Sequence, residues 1–409
     1  MRSGLQTSRV ALVQTSRNDA GAPRIVPAEG GALHCAVEVR EGREAFASAQ
    51  KAWNGVLAEG PRRDPFFRHE YQRIWLENFA PSASPLTYLV RAGGRVRLAA
   101  ALVPQQGRVL GVPVRMLTLP ANDHSNRSGF ALGEGDAAPA LAALWQRVRE
   151  ATWDVLLLRD LPEGAPELSV ISKLAADDGH PTGTWCSQRS PYVALEEFSQ
   201  GSGTAAERVF AKLPAHFRAN LRRRRKKLST HGAVEFERAD GSRDLEALLE
   251  EAFRLEASGW KGRGKTAIAT APQTVGFYSA LARWAAREKM LSLSFLKVGA
   301  TRVAFHFGLM SDRKYYILKC GFDEATSDCS PGQQLLGDVL TDCVDRNLLE
   351  LDFLGPSMPW KLDWTSTVRA HRWLTIFRPT PMGRALCAAK FTVAPLVKGW
   401  TRGHARVER

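Results

Sequence analysis

The sequence predicts an α/β (α+β) protein made of two similar units in tandem, each a mostly antiparallel mixed sheet flanked by helices. Three observations lead there. At 409 residues the chain exceeds what one small core needs. Its 44% hydrophobic and 24% charged residues are those of an ordinary globular protein with ample core material. An order of strand, helices, three antiparallel strands, helix and strand recurs in outline in both halves of the chain.

In the first half a helical pattern spans Pro65–Phe79. Strand-like runs follow at Leu86–Arg91, Val96–Val103 and Val109–Leu119, then a helix over Ala137–Ala151. Strand Asp154–Arg159, a helix near Glu167–Asp177 and strand Pro191–Leu195 close this half. The run Glu197–Thr204 is a Gly/Ser-rich linker. A basic helix is expected over Ala206–Ser229, then strand Val234–Ala239. Helix Asp244–Glu256 places Leu245, Leu248, Leu249, Ala252 and Phe253 on one face. Helix Thr274–Lys289 and strands Leu291–Val298, Val303–Met310 and Lys314–Cys320 come next. The expected organisation is therefore a disordered tail over 1–33, domains over 34–196 and 206–390 joined by the linker 197–205, and a basic tail over 391–409.

The segment Ser330–Trp364 is the richest in signals. Ser330-Pro331-Gly332-Gln333 fits a capping box with Pro at the first helical position. Leu335, Leu336, Val339, Leu340, Cys343 and Val344 then repeat at helical spacing. A free helix N-terminus offers backbone N–H groups and a positive dipole end to a pyrophosphate. Strand Leu349–Leu354 follows, then the Gly355-Pro356 turn, Trp360 and Lys361, and strand His371–Phe377 ends the unit.

Net charge is +14 and the pI about 9.8, which favours anionic partners such as CoA phosphates, nucleic acid or anionic membrane without choosing among them. None of the six cysteines has CxxC spacing, so no zinc or other metal site is expected, and a reduced cytoplasmic setting fits. No leader with an apolar core and no apolar run of about 18 residues is evident. The apolar segment Ala385–Val397 is short and reads as a packed terminal helix, with peripheral contact at an inner membrane as the other reading.

Gly259–Thr266 matches the phosphate-loop pattern G-x-x-x-x-G-K-[ST]. Such a loop must follow a strand and open a helix. Here a helix precedes it and Ala267–Pro272 is a poor helix start, so the segment reads as a cationic loop over a cleft, with Trp260 and Lys261 facing substrate. The run Arg222–Lys227 is either a solvated face or a contact for RNA or a lipid headgroup. On Val303–Met310, His306 shares a face with the small residues Ala304 and Gly308, which suits either a general base or a structural histidine. Asp352 and Lys361 form either a substrate-orienting pair or a salt bridge closing the loop. Glu256 is a further candidate base. Tyr315 and Tyr316 offer one phenol to each sheet face, and Tyr316 is the candidate for protonating a leaving thiolate.

Taken together, these segments resemble the GNAT-type acetyltransferases of the cellulose-biosynthesis CelD-like group, relatives of the FemABX peptidyltransferases. The resemblance rests on Leu255-Glu256-Ala257-Ser258-Gly259-Trp260-Lys261-Gly262, on Ala304-Phe305-His306-Phe307-Gly308, and on Cys320-Gly321-Phe322-Asp323 ahead of Ser330-Pro331-Gly332. Leu351-Asp352-Phe353-Leu354-Gly355 followed by Trp360-Lys361 completes it. It covers about 205–380 and implies tandem GNAT domains, with acyl transfer from a thioester such as acetyl-CoA to an amine. It also implies a role in exopolysaccharide or cell-envelope biosynthesis. The family's pyrophosphate loop, Q/R-x-x-G-x-G/A, is reduced here to Ser330-Pro331-Gly332-Gln333-Gln334, with one glycine, and Trp360 stands where Tyr is common.

The leading expectation is direct transfer. Ser330, Gly332, Gln333 and Gln334 hold the donor pyrophosphate, and backbone amides of the His306 strand polarise the carbonyl. His306, or alternatively Glu256 or Asp352, deprotonates the amine, while Lys361, Asp352 and Trp360 hold a sugar, peptide or small-molecule acceptor. The rival readings are an aminoacyl-tRNA donor gripped by Arg222–Lys227, and a non-catalytic accessory protein of a polysaccharide-synthesis complex.

Overall fold

The computed structural model describes residues 35–198, 201–258 and 267–394. The expected tail over 1–33, the phosphate-loop match with Trp260 and Lys261, and residues 395–409 of the basic tail lie outside the described residues.

The first half runs β1 (Cys35–Glu41), α1 (Arg43–Ser48), α2 (Gln50–Glu59), α3 (His69–Phe79), β2 (Leu86–Ala92), β3 (Arg95–Val109) and β4 (Val112–Thr118). It continues with β5 (Ala131–Leu132), α4 (Ala138–Val148), β6 (Val155–Pro162), α5 (Ser172–Asp177) and β7 (Thr182–Ala194). Then come α6 (Ala205–Ala211), α7 (Ala215–Leu228), β8 (Val234–Ala239), α8 (Leu245–Ala257) and α9 (Pro272–Arg287). Next come β9 (Leu291–Val298), β10 (Thr301–Ser311), β11 (Lys314–Phe322), α10 (Pro331–Asp345), β12 (Glu350–Asp352), α11 (Pro359–Leu362), β13 (Val368–Phe377) and α12 (Pro381–Ala388).

The described strands form one sheet in the order β1-β2-β3-β4-β6-β13-β7-β12-β11-β10-β9-β8, with β5 paired to β3. The two units exchange strands at its centre. The segment expected to complete the second unit, β13, lies antiparallel between β6 and β7 of the first. In return β7 pairs with β12. Helices cover both faces. On one face α2, α3, α8 and α9 enclose a core of Trp53, Tyr71, Phe277, Tyr278, Phe305 and Phe307, drawn from both halves. On the other face, over the second unit, α6, α7 and α10 enclose Val209, Leu221, Leu335, Leu336 and Cys343.

Three local expectations change. The strand β1 and helices α1 and α2 precede the first predicted helix; α2 carries Asn54-Gly55, ordinarily a turn signal, inside a helix of ten residues. The single basic helix is two, because Pro214 has no N–H to continue α6 and instead starts α7. The capping box sits at Thr204, whose hydroxyl accepts from Glu207 N, and not at Ser330. Ser330 adopts a left-handed φ of 48° with no side-chain cap.

Candidate active site

The pairing of β11 with β12 creates the site. The two strands run parallel for only three pairs, Lys314–Glu350, Tyr315–Leu351 and Tyr316–Asp352. β11 then continues to Phe322 while the segment after β12 leaves the sheet at Phe353, so beyond Tyr316 the β11 edge pairs with no described strand on that side. A cavity of about 450 Å³ opens in this divergence, of a size suited to a small ligand. Its walls are Ile317–Phe322 on one side and Phe353–Gly355 with Met358, Trp360 and Lys361 on the other. Ser330, Gly332 and Gln333, at the start of α10, border it, as do Glu256 and His306.

The turn after β12 is conformationally costly. Leu354 and Gly355 both have positive φ, 49° and 61°, and a non-glycine residue there needs outside support. Two groups supply it. The Asp352 carboxylate accepts from Leu354 N at 2.7 Å, and the buried Lys361 ammonium donates to Leu354 O at 2.5 Å and Pro356 O at 3.1 Å. Lys361 thus closes the turn and borders the cavity, but it does not pair with Asp352.

Asp352 is fully buried and held instead by Arg127 and by Arg369 at 3.3 Å. Arg127 also donates to Asp64 at 2.9 Å, and Asp64 accepts from the Tyr316 hydroxyl. Burial, together with the Asp64 charge and hydrogen bond, pushes the Tyr316 phenol well above its usual value. Asp352, Tyr316 and Gln334 therefore stand outside the cavity wall; the Gln334 amide donates to Leu221 O at 3.0 Å inside the core. Gln333 donates to Trp360 O and accepts from Trp364 Nε1, so its side chain braces the wall.

The cavity wraps around the β11 edge and touches both faces of the sheet. On the α8 face Glu256, 1% exposed, accepts from Ile268 N at 2.7 Å and lies 3.9 Å from Lys319 Nζ. Burial and the Lys319 charge lower the nearby His124 to about 4. On the α10 face Arg224 donates to Ser330 Oγ, bringing a guanidinium to the helix N-terminus. Lys319, Cys320 and Arg224 were not singled out as site residues, and neither was Asn126, which the first half contributes to the lining. The sequence signals for them were indirect: Arg224 belongs to the basic run Arg222–Lys227, and Cys320 opens the resembling segment Cys320–Asp323.

The amides expected to polarise a carbonyl are not those of β10, which is laddered on both sides to β9 and β11. The available edge is that of β11. A second recess, of about 520 Å³, lies by Glu163–Ala165 and Thr182–Thr184. Its charged lining residues, Glu163 and Arg372, pair with each other at 2.7 Å. Among the described residues no group of three or more His, Cys, Asp or Glu is arranged to hold a metal ion. Among them, too, no helix is long and apolar enough to cross a membrane. All six cysteines are free thiols.

Residues 215–362, which include most of the cavity lining, match the acetyltransferase (GNAT) domain family. No curated protein sequence matches the chain. Among solved structures, the crystal structure of FemX is similar with a TM-score of 0.56 at 10% identity, over 85% of this chain and 100% of that one, a likeness of fold. The C-terminal (DUF2156) domain of a putative lysylphosphatidylglycerol synthetase from Agrobacterium fabrum gives 0.49 at 12% identity, over 84% and 96%. A tandem GNAT protein from the clavulanic acid biosynthesis pathway gives 0.44 at 12%, over 84% and 99%.

Proposed function

We propose that this protein moves an acyl group from acyl-CoA to an amine, in an exopolysaccharide or cell-envelope pathway as its likeness to the CelD-like group implies. The observation that carries the reading is the divergence of β11 from β12 beside the N-terminus of α10. A thioester arm laid along the β11 edge that diverges from β12 can take hydrogen bonds of the kind a strand makes, and a backbone N–H there can stabilise the developing oxyanion. The α10 dipole, the bare backbone at Gly332 and the Arg224 guanidinium offer a seat for the pyrophosphate. The acceptor amine enters on the α8 face, where Glu256 is the base and Lys319 the neighbouring charge. Lys361 acts by holding the Leu354–Pro356 wall, and Trp360 lines that wall.

A titration with acetyl-CoA, longer acyl-CoAs and CoA, read by melting temperature, tests the reading. Ligand at a hundredfold over its dissociation constant adds about 2.7 kcal/mol of stability. Gly332→Trp should abolish the shift while leaving the fold intact, because a Cβ at Gly332 meets only Phe322 Cδ1, at 3.5 Å. The absence of a shift and of turnover with every acyl-CoA and amine tried would overturn the reading.

An aminoacyl-tRNA donor is the second reading, motivated by α7. Arg222, Arg223 and Lys226 face solvent there, whereas Arg225 pairs with Asp338 at 3.0 Å, Lys227 pairs with Asp328 and Arg224 engages Ser330. Binding through those three would weaken steeply with salt. Salt-independent binding, or none, would exclude it.

A further inference from the structure

Strands β10 and β11 are joined by a two-residue turn, Asp312-Arg313, with both φ positive (49° and 59°), and their ladder begins Ser311–Lys314, Met310–Tyr315, Leu309–Tyr316, Gly308–Ile317. Between Phe307 and Gly308 the register shifts by one, leaving Leu318 as an extra residue on β11. The shift brings Cys320, and not Lys319, directly opposite His306. Directly opposed residues share a face, with Cβ atoms about 4.5–5.5 Å apart. The face is the α10 one. A Cβ on the neighbouring Gly321 would meet Glu256 Cα at 2.8 Å on the α8 side, so Cys320 points the other way, where it packs on the core under α10. Cys320 and His306 both line the cavity. Cys35, Cys329 and Cys343 are buried, whereas Cys320 is partly exposed.

We propose that Cys320 is a nucleophile that accepts the acyl group from the donor, with His306 as its base, so that transfer proceeds through an acyl-cysteine. The proposal rests on the acyl-CoA reading above and replaces direct transfer with two steps. In the first, His306 takes the thiol proton and Cys320 Sγ attacks the donor carbonyl. A carbon–sulfur bond forms to Cys320, the bond to the CoA sulfur breaks, and His306 returns the proton to the departing thiolate to release CoA. In the second, the amine attacks the acyl-cysteine carbonyl, a carbon–nitrogen bond forms, and Cys320 leaves as thiolate. Glu256 takes the proton lost by the amine and passes it to solvent, while Cys320 regains a proton through His306. One thioester is exchanged for another in the first step, so no redox partner is needed. A thiol beside an imidazole is a recurrent arrangement for an activated nucleophile. It also gives a role to a site with two faces: the donor is discharged on the α10 side before the amine arrives from the Glu256 side.

The test mixes the full chain with acetyl-CoA in the absence of any amine, quenches in acid, and measures intact mass with peptide mapping. The expected result is one acetyl group on the Cys320 peptide and a burst of CoA equal to the enzyme present. Cys320→Ala and the closer-shaped Cys320→Ser, with melting checked, should lose the adduct and slow turnover by about 10²-fold or more. Cys186→Ser, which removes an exposed thiol elsewhere, should keep both. His306→Gln should acylate slowly, with a rate that climbs as pH rises and the thiol ionises unaided. Turnover by folded Cys320→Ala within a few-fold of wild type would overturn the covalent route and leave the acyl-CoA reading standing, as would an adduct confined to Cys186. No adduct and no CoA release without amine would overturn the covalent route alone, whereas no CoA release from any acyl-CoA even with amines supplied would overturn both.

Discussion

Replacing Arg127 by Met should unseat the junction between the two halves. Arg127 is 3% exposed and bridges Asp64 of its own half to Asp352 of the other, with its guanidinium 5.4 Å from the Tyr316 ring. Removing one partner of a buried ionic group leaves uncompensated charge and costs about 3–5 kcal/mol. At about 2.1 cal/mol/K of unfolding entropy per residue, spread over the roughly 350 described residues, that is a fall in melting temperature of about 4–7 °C. The sign with pH follows from Asp64. Burial pushes this carboxyl up, but Arg127, Lys314 and the Tyr316 hydroxyl outweigh burial and hold it below its usual value. A carboxylate held low stabilises the fold above its unfolded value, about 3.9, and that contribution is lost as pH falls through the folded value. Without Arg127, burial dominates and the folded value rises. The deficit of the variant is therefore largest at neutral pH and narrows toward about pH 4. Chemical denaturation of both proteins across that range measures it. Adding Asp352→Asn should recover part of the loss, because Asn keeps an acceptor for Leu354 N while the stranded charge disappears. A deficit below about 1 kcal/mol, or one that does not change with pH, would refute this account of the junction.

Gly321→Ala drives a Cβ to 2.8 Å from both Glu256 Cα and Phe305 Cε1, so overpacking should lower stability by about 1–3 kcal/mol and depress turnover by displacing β11; normal melting would contradict it. Lys361→Met removes two charged hydrogen bonds from the Leu354–Pro356 turn, which should cost about 1.5–3 kcal/mol and raise the donor KM more than it lowers kcat. His371 is fully buried with neither ring nitrogen hydrogen-bonded, and burial, Arg127 and Arg369 lower it to about 3. Above its unfolded value near 6.5 it adds no pH-dependent cost, and below it stability falls by about 1.4 kcal/mol per pH unit down to about 3; His371→Gln should flatten that part of the stability curve, and an unchanged slope would count against it. Cutting the chain within 199–204 should leave the two fragments associated, since β13 remains between β6 and β7; separation on a sizing column would contradict the exchange.

The elements legible in the sequence were those with a strong period. Val234–Ala239 and Leu291–Val298 are found where alternation and burial place them, and the α10 stripe from Leu335 to Val344 is buried as its 3.6-residue spacing requires. The site was legible as a neighbourhood: Glu256, His306, Ser330, Gly332, Gln333, Trp360 and Lys361 all border one cavity. Its inner wiring was not. Nearness in sequence suggested that Asp352 pairs with Lys361, yet Asp352 is held by Arg369 and by Arg127, the latter 225 residues away. Opposite His306, counting back from the Asp312-Arg313 turn without a bulge gives Lys319; only the extra residue Leu318 moves Cys320 there. One residue of register exchanges the chemistry facing the imidazole, and no period in the sequence marks where the shift falls.

The strand exchange explains why the cavity lies where it does. A β12 of three residues, with β11 diverging beyond it, would be a weak edge on its own. Here β12 is laddered to β7 on its other side, and its last residue, Asp352, is clamped by Arg127 from the first half and Arg369 from β13. The first half thus fixes the strand whose departure opens the gap, while β11 is fixed by β10 and by the packing of Gly321 on α8. Each wall of the cavity belongs to a separately supported part of the sheet, so the gap stays open without a ligand between its walls. The β11 edge that β12 leaves, of a kind ordinarily a liability in a sheet, lies where an extended ligand can complete it.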